Sequence, residues 1–275
     1  MTAFRLPLFV LLLALAGCSN SSSDSTVESR APAPTGPPVG HPLFMSPHVN
    51  PIVSHNGFIY VTNTPADTVD VIDVQSREVV DRINVGIDPV ALALRPDGLE
   101  LWVANHISDS VSVIDTDANS PTRHHVRATV QDFDATGLVT EFDEPTGIAF
   151  ASDDKAYVAL GPDNRIAVVD VASYAVTGHL PIIAQDPRAI VVAGERLFVA
   201  PFESHNRSQI SGCISPLDGD LCTFDVLAEV VFSNNILSLG YDADIVINPG
   251  LPDRDLFVFD TATDRLLQIV EDVGT

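Results

Sequence analysis

Three acidic residues stand at matching places in this sequence: Asp88, Glu144 and Asp186 each lie directly before a proline. A second set of polar residues follows three of the aromatic-rich segments: Asn63, Asn105-His106 and Glu203-Ser204-His205. Carboxylates, amides and imidazoles gathered in one place supply oxygen ligands and hydrogen-bonding groups, which can hold a divalent cation or a polar small molecule. The competing use is local, because an acidic residue at the start of a loop caps a turn through its own side chain. The surrounding elements decide between the two.

Other candidate chemistry is sparse. His41, His48, His55 and the pair His124-His125 lack the i, i+4 spacing of a helical metal pair and are expected to be exposed loop histidines. There is no Cys-x-x-Cys-His haem motif, no Gly-x-Ser-x-Gly elbow and no phosphate-cradling loop. No catalytic residue, resident metal or cofactor is therefore assigned, beyond the cation that the acidic set could take. With 14 Lys+Arg against 37 Asp+Glu, the formal net charge of -23 repels nucleic acid and anionic lipid head groups.

The elements that must position these residues recur along the chain. Phe58-Ile59-Tyr60-Val61-Thr62-Asn63 returns as Leu101-Trp102-Val103-Ala104-Asn105, as Ala156-Tyr157-Val158-Ala159-Leu160 and as Leu197-Phe198-Val199-Ala200-Pro201. A second segment follows it, Thr68–Val74, Ser110–Thr116 and Arg165–Val171, with a displaced fourth copy at Asp255–Thr261. A third precedes it, Asp88–Ala93, Glu144–Ala149 and Asp186–Val191, and a more polar fourth completes each unit, as in Glu78–Ile83 and Arg265–Val270. Short runs of β-branched and aromatic residues, parted by turns such as Pro96-Asp97-Gly98, predict strands. Four strands in a unit of about 42 residues predict an all-β chain of four-stranded antiparallel propeller blades over residues 46–275. In that arrangement Ala91, Ala93, Gly147 and Ala149 suit the crowded innermost strands, and Tyr60, Trp102, Tyr157 and Phe198 pack between blades.

These residues resemble the YVTN repeat family of bacterial β-propellers, whose naming tetrad stands here as Tyr60-Val61-Thr62-Asn63. The companion features are Val71-Ile72-Asp73, Val113-Ile114-Asp115 and Pro96-Asp97-Gly98. The resemblance covers residues 51–200 well and 255–270 weakly. It implies that the loop into the first strand and the loop between the second and third strands share one face, which would bring Asp88, Glu144, Asp186, Asn63, Asn105, His106 and His205 to the channel mouth. Family rings resemble seven-bladed propellers, whereas four units are counted here. The expectation is that the sequence is the front part of a longer protein, with a closed four-bladed ring as the alternative. Extra segments around residues 119–141 and 203–253 map to loops, which often carry binding.

Residues 1–17 read as an export signal, with Arg5 in the charged region and Leu8–Ala14 as an apolar run too short to span a bilayer. Leu15-Ala16-Gly17-Cys18 resembles the lipobox of bacterial lipoproteins, which implies lipidation of Cys18. Residues 18–45, rich in Ser and then Pro, form a tether. Ser19 after the cysteine implies an outer-membrane lipoprotein, expected to face the periplasm and to touch the membrane through its lipid alone. Export to an oxidising compartment predicts a disulfide between Cys213 and Cys222, with free thiols or a metal pair as alternatives. The leading functional expectation is a non-enzymatic binding scaffold for an envelope protein or a polar small molecule. A lactonase-like hydrolase and an accessory propeller of a larger redox protein are the competing ones.

Overall fold

A computed structural model describes residues 46–204, 207–210, 245–247 and 252–273. Its regular structure is strands and one short 3-10 turn. Blade 1 is β1 (Ile52–His55), β2 (Phe58–Asn63), β3 (Thr68–Asp73) and β4 (Val79–Asn84). Blade 2 is β5 (Pro89–Leu94), β6 (Glu100–Asn105), β7 (Ser110–Asp115) and β8 (Val126–Val130). Blade 3 is β9 (Pro145–Phe150), β10 (Lys155–Leu160), β11 (Arg165–Asp170) and β12 (Ala175–Pro181). Blade 4 starts with β13 (Gln185–Ala193) and β14 (Arg196–Glu203). A separate two-stranded ribbon, β15 (Ser208–Ile210) with β16 (Ile245–Ile247), intervenes before β17 (Leu256–Asp260) and β18 (Leu266–Val270) complete the blade. Every blade is an antiparallel meander in simple order, so the chain is the expected all-β array of propeller blades.

Alternation sorts the side chains. Successive residues of a strand point to opposite faces of its blade, and in a stack both faces meet a neighbour. The middle strands of blade 2 are accordingly buried throughout, at every residue of β6 and β7. Three apolar clusters fill the gaps between blades. Tyr60, Val69 and Val71 meet Leu92, Leu101 and Val103; Trp102, Ala104 and Val113 meet Ala156, Val158 and Val169; Tyr157, Ala159 and Ile166 meet Leu197, Val199 and Phe257. Tyr60, Trp102 and Tyr157 are fully buried in them, as the repeat predicts, while Phe198 is half-buried on the outer face of blade 4.

Among the described residues no fourth cluster joins blade 4 to blade 1. The outward faces carry Ile52 at 55% and Val191 at 57% exposure. The described blades thus form an arc and not the closed four-bladed ring given above as the alternative. Innermost strands touch from blade to blade, and at Gly147 of β9 a Cβ would run into the Arg188 carbonyl of β13. That approach explains the small residue, since any side chain would push the two blades apart.

The Asp that ends each third strand has a local role. Asp73 accepts from the Ser76 N–H at 2.7 Å, Asp170 from the Ser173 N–H at 2.9 Å, and Asp260 from the Thr263 N–H and hydroxyl at 2.8 and 2.7 Å. These bonds hold all three carboxyls below their ordinary range. In the remaining blade Asp115 accepts from the Asp117 N–H at 3.0 Å and the Thr122 hydroxyl at 2.7 Å, so the Asp of both Val-Ile-Asp copies is a turn cap.

Candidate functional site

The acidic residues before proline lie where one blade hands over to the next. Asp88, Glu144 and Asp186 all adopt left-handed backbone, with φ of 62°, 44° and 54°. A proline follows each, and proline fixes its own φ and donates no hydrogen bond. The turn N–H is held instead by the preceding blade. Asp67 accepts from the Asp88 N–H at 2.9 Å, Asp109 from Glu144 at 3.1 Å, and Asn164 from Asp186 at 2.8 Å. The three acceptors are themselves left-handed and sit immediately before the third strand of their blades. A fourth example ends the described chain: Asp272, with φ 60°, donates its N–H to Asp253 at 3.0 Å, and Val273 donates to Asp255 at 2.8 Å. Each of the three described junctions is thus clasped, where the innermost strand begins, by a backbone N–H donated to a short polar side chain of the preceding blade; this end of the blades is called the mouth.

The carboxylates of these turns have different surroundings. Asp88 is buried and accepts from the N–H and the hydroxyl of Ser46. Asp186 is engaged by the Arg188 guanidinium at 2.6–2.7 Å. Glu144 is the open one: its side chain is 42% exposed, and its Oε2 lies 3.4 Å from Nε2 of the buried His106. Glu144 and Asp186 line one solvent-facing cleft of about 230 Å³ with Gly161, Pro162, Asn164 and Gln185. Burial, and then the carboxylates of Asp109, Asp163 and Glu144, hold the carboxyl of Asp143 above its usual range.

Of the remaining predicted residues, Asn105 is fully buried and donates to the Ser110 and Ser112 hydroxyls at 3.2 and 3.0 Å. Its Oδ1 and Nδ1 of His106 are buried without a hydrogen-bond partner among the described residues. Asn63 precedes the 3-10 turn Thr64–Ala66 and makes no capping bond with its side chain. None of Asn63, Asn105, His106 and Asp88 lines the cleft. Cys18, Cys213, Cys222 and His205 lie outside the described residues, as do residues 1–45 and most of the segment 203–253. No group of three or more His, Cys, Asp or Glu suited to a metal occurs among the described residues.

The opposite ends of the junctions are closed by residues that inspection of single repeats misses. Each third-to-fourth turn carries a left-handed residue: Arg77, His124, Tyr174 and Asp264, with φ of 60°, 62°, 56° and 58°. The last three reach back to the aromatic strand of the blade before. Tyr60 and Nε2 of His124 are hydrogen-bonded at 3.0 Å, and His124 packs edge-on against Phe58 at 5.4 Å. His124 is therefore buried, which corrects the expectation of an exposed loop histidine; its neighbour His125 is exposed. Tyr174 donates to Glu100 at 2.7 Å, and the same buried carboxylate accepts from Trp102 Nε1 at 3.0 Å. Asp264 takes the Tyr157 hydroxyl at 2.6 Å and the Lys155 ammonium at 2.7 Å. Burial and then the Glu100 partner raise the Tyr174 hydroxyl to about 12.

No family model matches the chain, and no curated protein does. Among solved structures it is similar to Kuenenia stuttgartiensis Hydrazine Synthase, with a TM-score of 0.55 and 18% identity over 85% of this chain. The chain spans about half, 53%, of that structure's length. A likeness at this identity is one of fold.

Proposed function

We propose that this chain is the propeller module of a non-enzymatic envelope lipoprotein, and that it works as a binding scaffold whose mouth grips a polar ligand or the polar segment of an envelope protein. The observation that carries the reading is the contrast among the mouth carboxylates. Asp88 and Asp186 are occupied by Ser46 and Arg188, while Glu144 opens on the cleft with its Oε2 3.4 Å from Nε2 of the buried His106. The lipobox-like Leu15–Cys18 and the Ser/Pro-rich tether support lipid anchoring in the outer membrane, with the blades facing the periplasm.

A second reading, an accessory propeller within a larger enzyme, draws support from the likeness to part of a longer chain named as a synthase. Pull-down from an envelope extract by the wild type, Glu144→Gln and His106→Ala separates these readings. The scaffold reading expects at least one partner retained by the wild type and lost by both variants; identical partner sets contradict the mouth as the grip. Hydrolysis of lactones by the purified protein with stoichiometric metal would replace the scaffold with the hydrolase.

A further inference from the structure

The outward face of blade 4 repeats, position for position, the surface that each earlier blade offers to its successor. Phe58 and Tyr60, Glu100 and Trp102, and Lys155 and Tyr157 are the first and third residues of their aromatic strands, and all three pairs are covered by the next blade. In blade 4 the corresponding pair is Arg196 and Phe198. Arg196 is exposed, its side chain takes part in no hydrogen bond or ion pair among the described residues, and Phe198 is half-buried. The mouth end of the same face is already set, because Asp253 and Asp255 hold the N–H groups of Asp272 and Val273. At the other three junctions that clasp introduces the innermost strand of the following blade.

The completed junctions also show how the pairs are matched. An aromatic start, Phe58, is met by the imidazole of His124; an acidic start, Glu100, by the Tyr174 hydroxyl; a basic start, Lys155, by the Asp264 carboxylate. Arg196 is a basic start. We infer that the outer face of blade 4 docks a further four-stranded blade that carries a carboxylate at the left-handed residue of its third-to-fourth turn. A second copy of this chain does not fit that description. Its leading blade would present the exposed Arg77 at that position, and two guanidinium groups would meet. This surface is distinct from the mouth cleft, and none of its residues lines that cleft.

The chain itself can be turned into the matching partner. Arg77→Asp puts a carboxylate on a left-handed residue, a conformation that Asp tolerates well, and so makes blade 1 of one copy complementary to blade 4 of another. Arg196→Asp does the reverse, leaving Arg77 to face a carboxylate. Sedimentation velocity over a concentration series should show at least ten-fold tighter self-association than wild type for each single variant. The double variant Arg77→Asp/Arg196→Asp should fall back to wild-type behaviour, and salt should weaken both single-variant complexes. Wild-type association as tight as that of the variants would make a second copy the occupant and overturn the inference. Absence of association in both single variants, or equal association in the double variant, would overturn it as well.

Discussion

At the mouth, Asp67, Asp109, Asn164 and Asp253 make the same bond to the same backbone group four times, whereas at the opposite ends of the junctions no two contacts are alike. The first set is a backbone device. It fixes where each innermost strand begins and is indifferent to the side chain that follows, so an Asp or an Asn serves equally. The second set is made by side chains alone: Tyr with His, Tyr with Glu, Tyr and Lys with Asp. Uniform contacts set spacing, and unlike contacts distinguish one blade from another. In a repeat protein that difference matters, because apolar faces of similar composition would pack in more than one order if nothing marked them.

The comparison breaks first at the blade 2 and blade 3 junction. Trp102→Ala removes the largest fully buried side chain and leaves Glu100 without its indole donor. A loss of about 3–5 kcal/mol is expected in a denaturant titration. A smaller effect, about 1–3 kcal/mol, is expected for Asp264→Ala, which strips the Tyr157 hydroxyl and the Lys155 ammonium of their acceptor. Mouth substitutions should be smaller still and, more tellingly, equal. Asp67→Ala, Asp109→Ala and Asn164→Ala each remove one capping bond worth about 1 kcal/mol. A several-fold spread among those three would erase the contrast between the faces.

Titration sharpens the contrast more gently. The Tyr174 hydroxyl is raised from 10.0 to about 12 in the folded chain by burial and then by Glu100. Below pH 10 both states keep the proton. Between pH 10 and about 12 only the unfolded chain releases it, so stability should fall over that window. Tyr174→Phe should flatten this limb. The turn-capping Asp73, Asp170 and Asp260 act at the other end of the scale. Their folded values lie below 3.8, so their contribution is present above that pH and is lost as the pH falls through the lowered values.

The blades were legible because their period is short and their strands carry alternating β-branched residues. Phe198 follows the same rule as Tyr60, Trp102 and Tyr157 in sequence but ends half-buried, because burial of that position is supplied by the next blade and not by its own. The mouth clasps left a readable trace as well: Asp67, Asp109 and Asn164 each stand four residues after the end of the second strand. Attention to the acidic residues before proline passes over them, since the turn is capped from outside and not by its own side chain. The opposite-face contacts left no such trace. Tyr60 and His124 are 64 residues apart, Glu100 and Tyr174 are 74, and Tyr157 and Asp264 are 107, with a different chemistry each time. His124 is the plain case, because a residue in a long connection reads as solvated until the loop is seen folded back by Asp115, Ser120 and Thr122.

The claim beneath the rest is that the acidic turns at the mouth are structural junctions first, with Glu144 alone left open to a ligand. Site-resolved amide hydrogen exchange of Asp88, Glu144 and Asp186 tests it directly. All three amides should exchange as slowly as those in the strand interiors, with or without added calcium or zinc, and Asp67→Ala should release Asp88 alone. Rapid exchange at all three that slows only when a cation is added would contradict the account and make the set a ligand site.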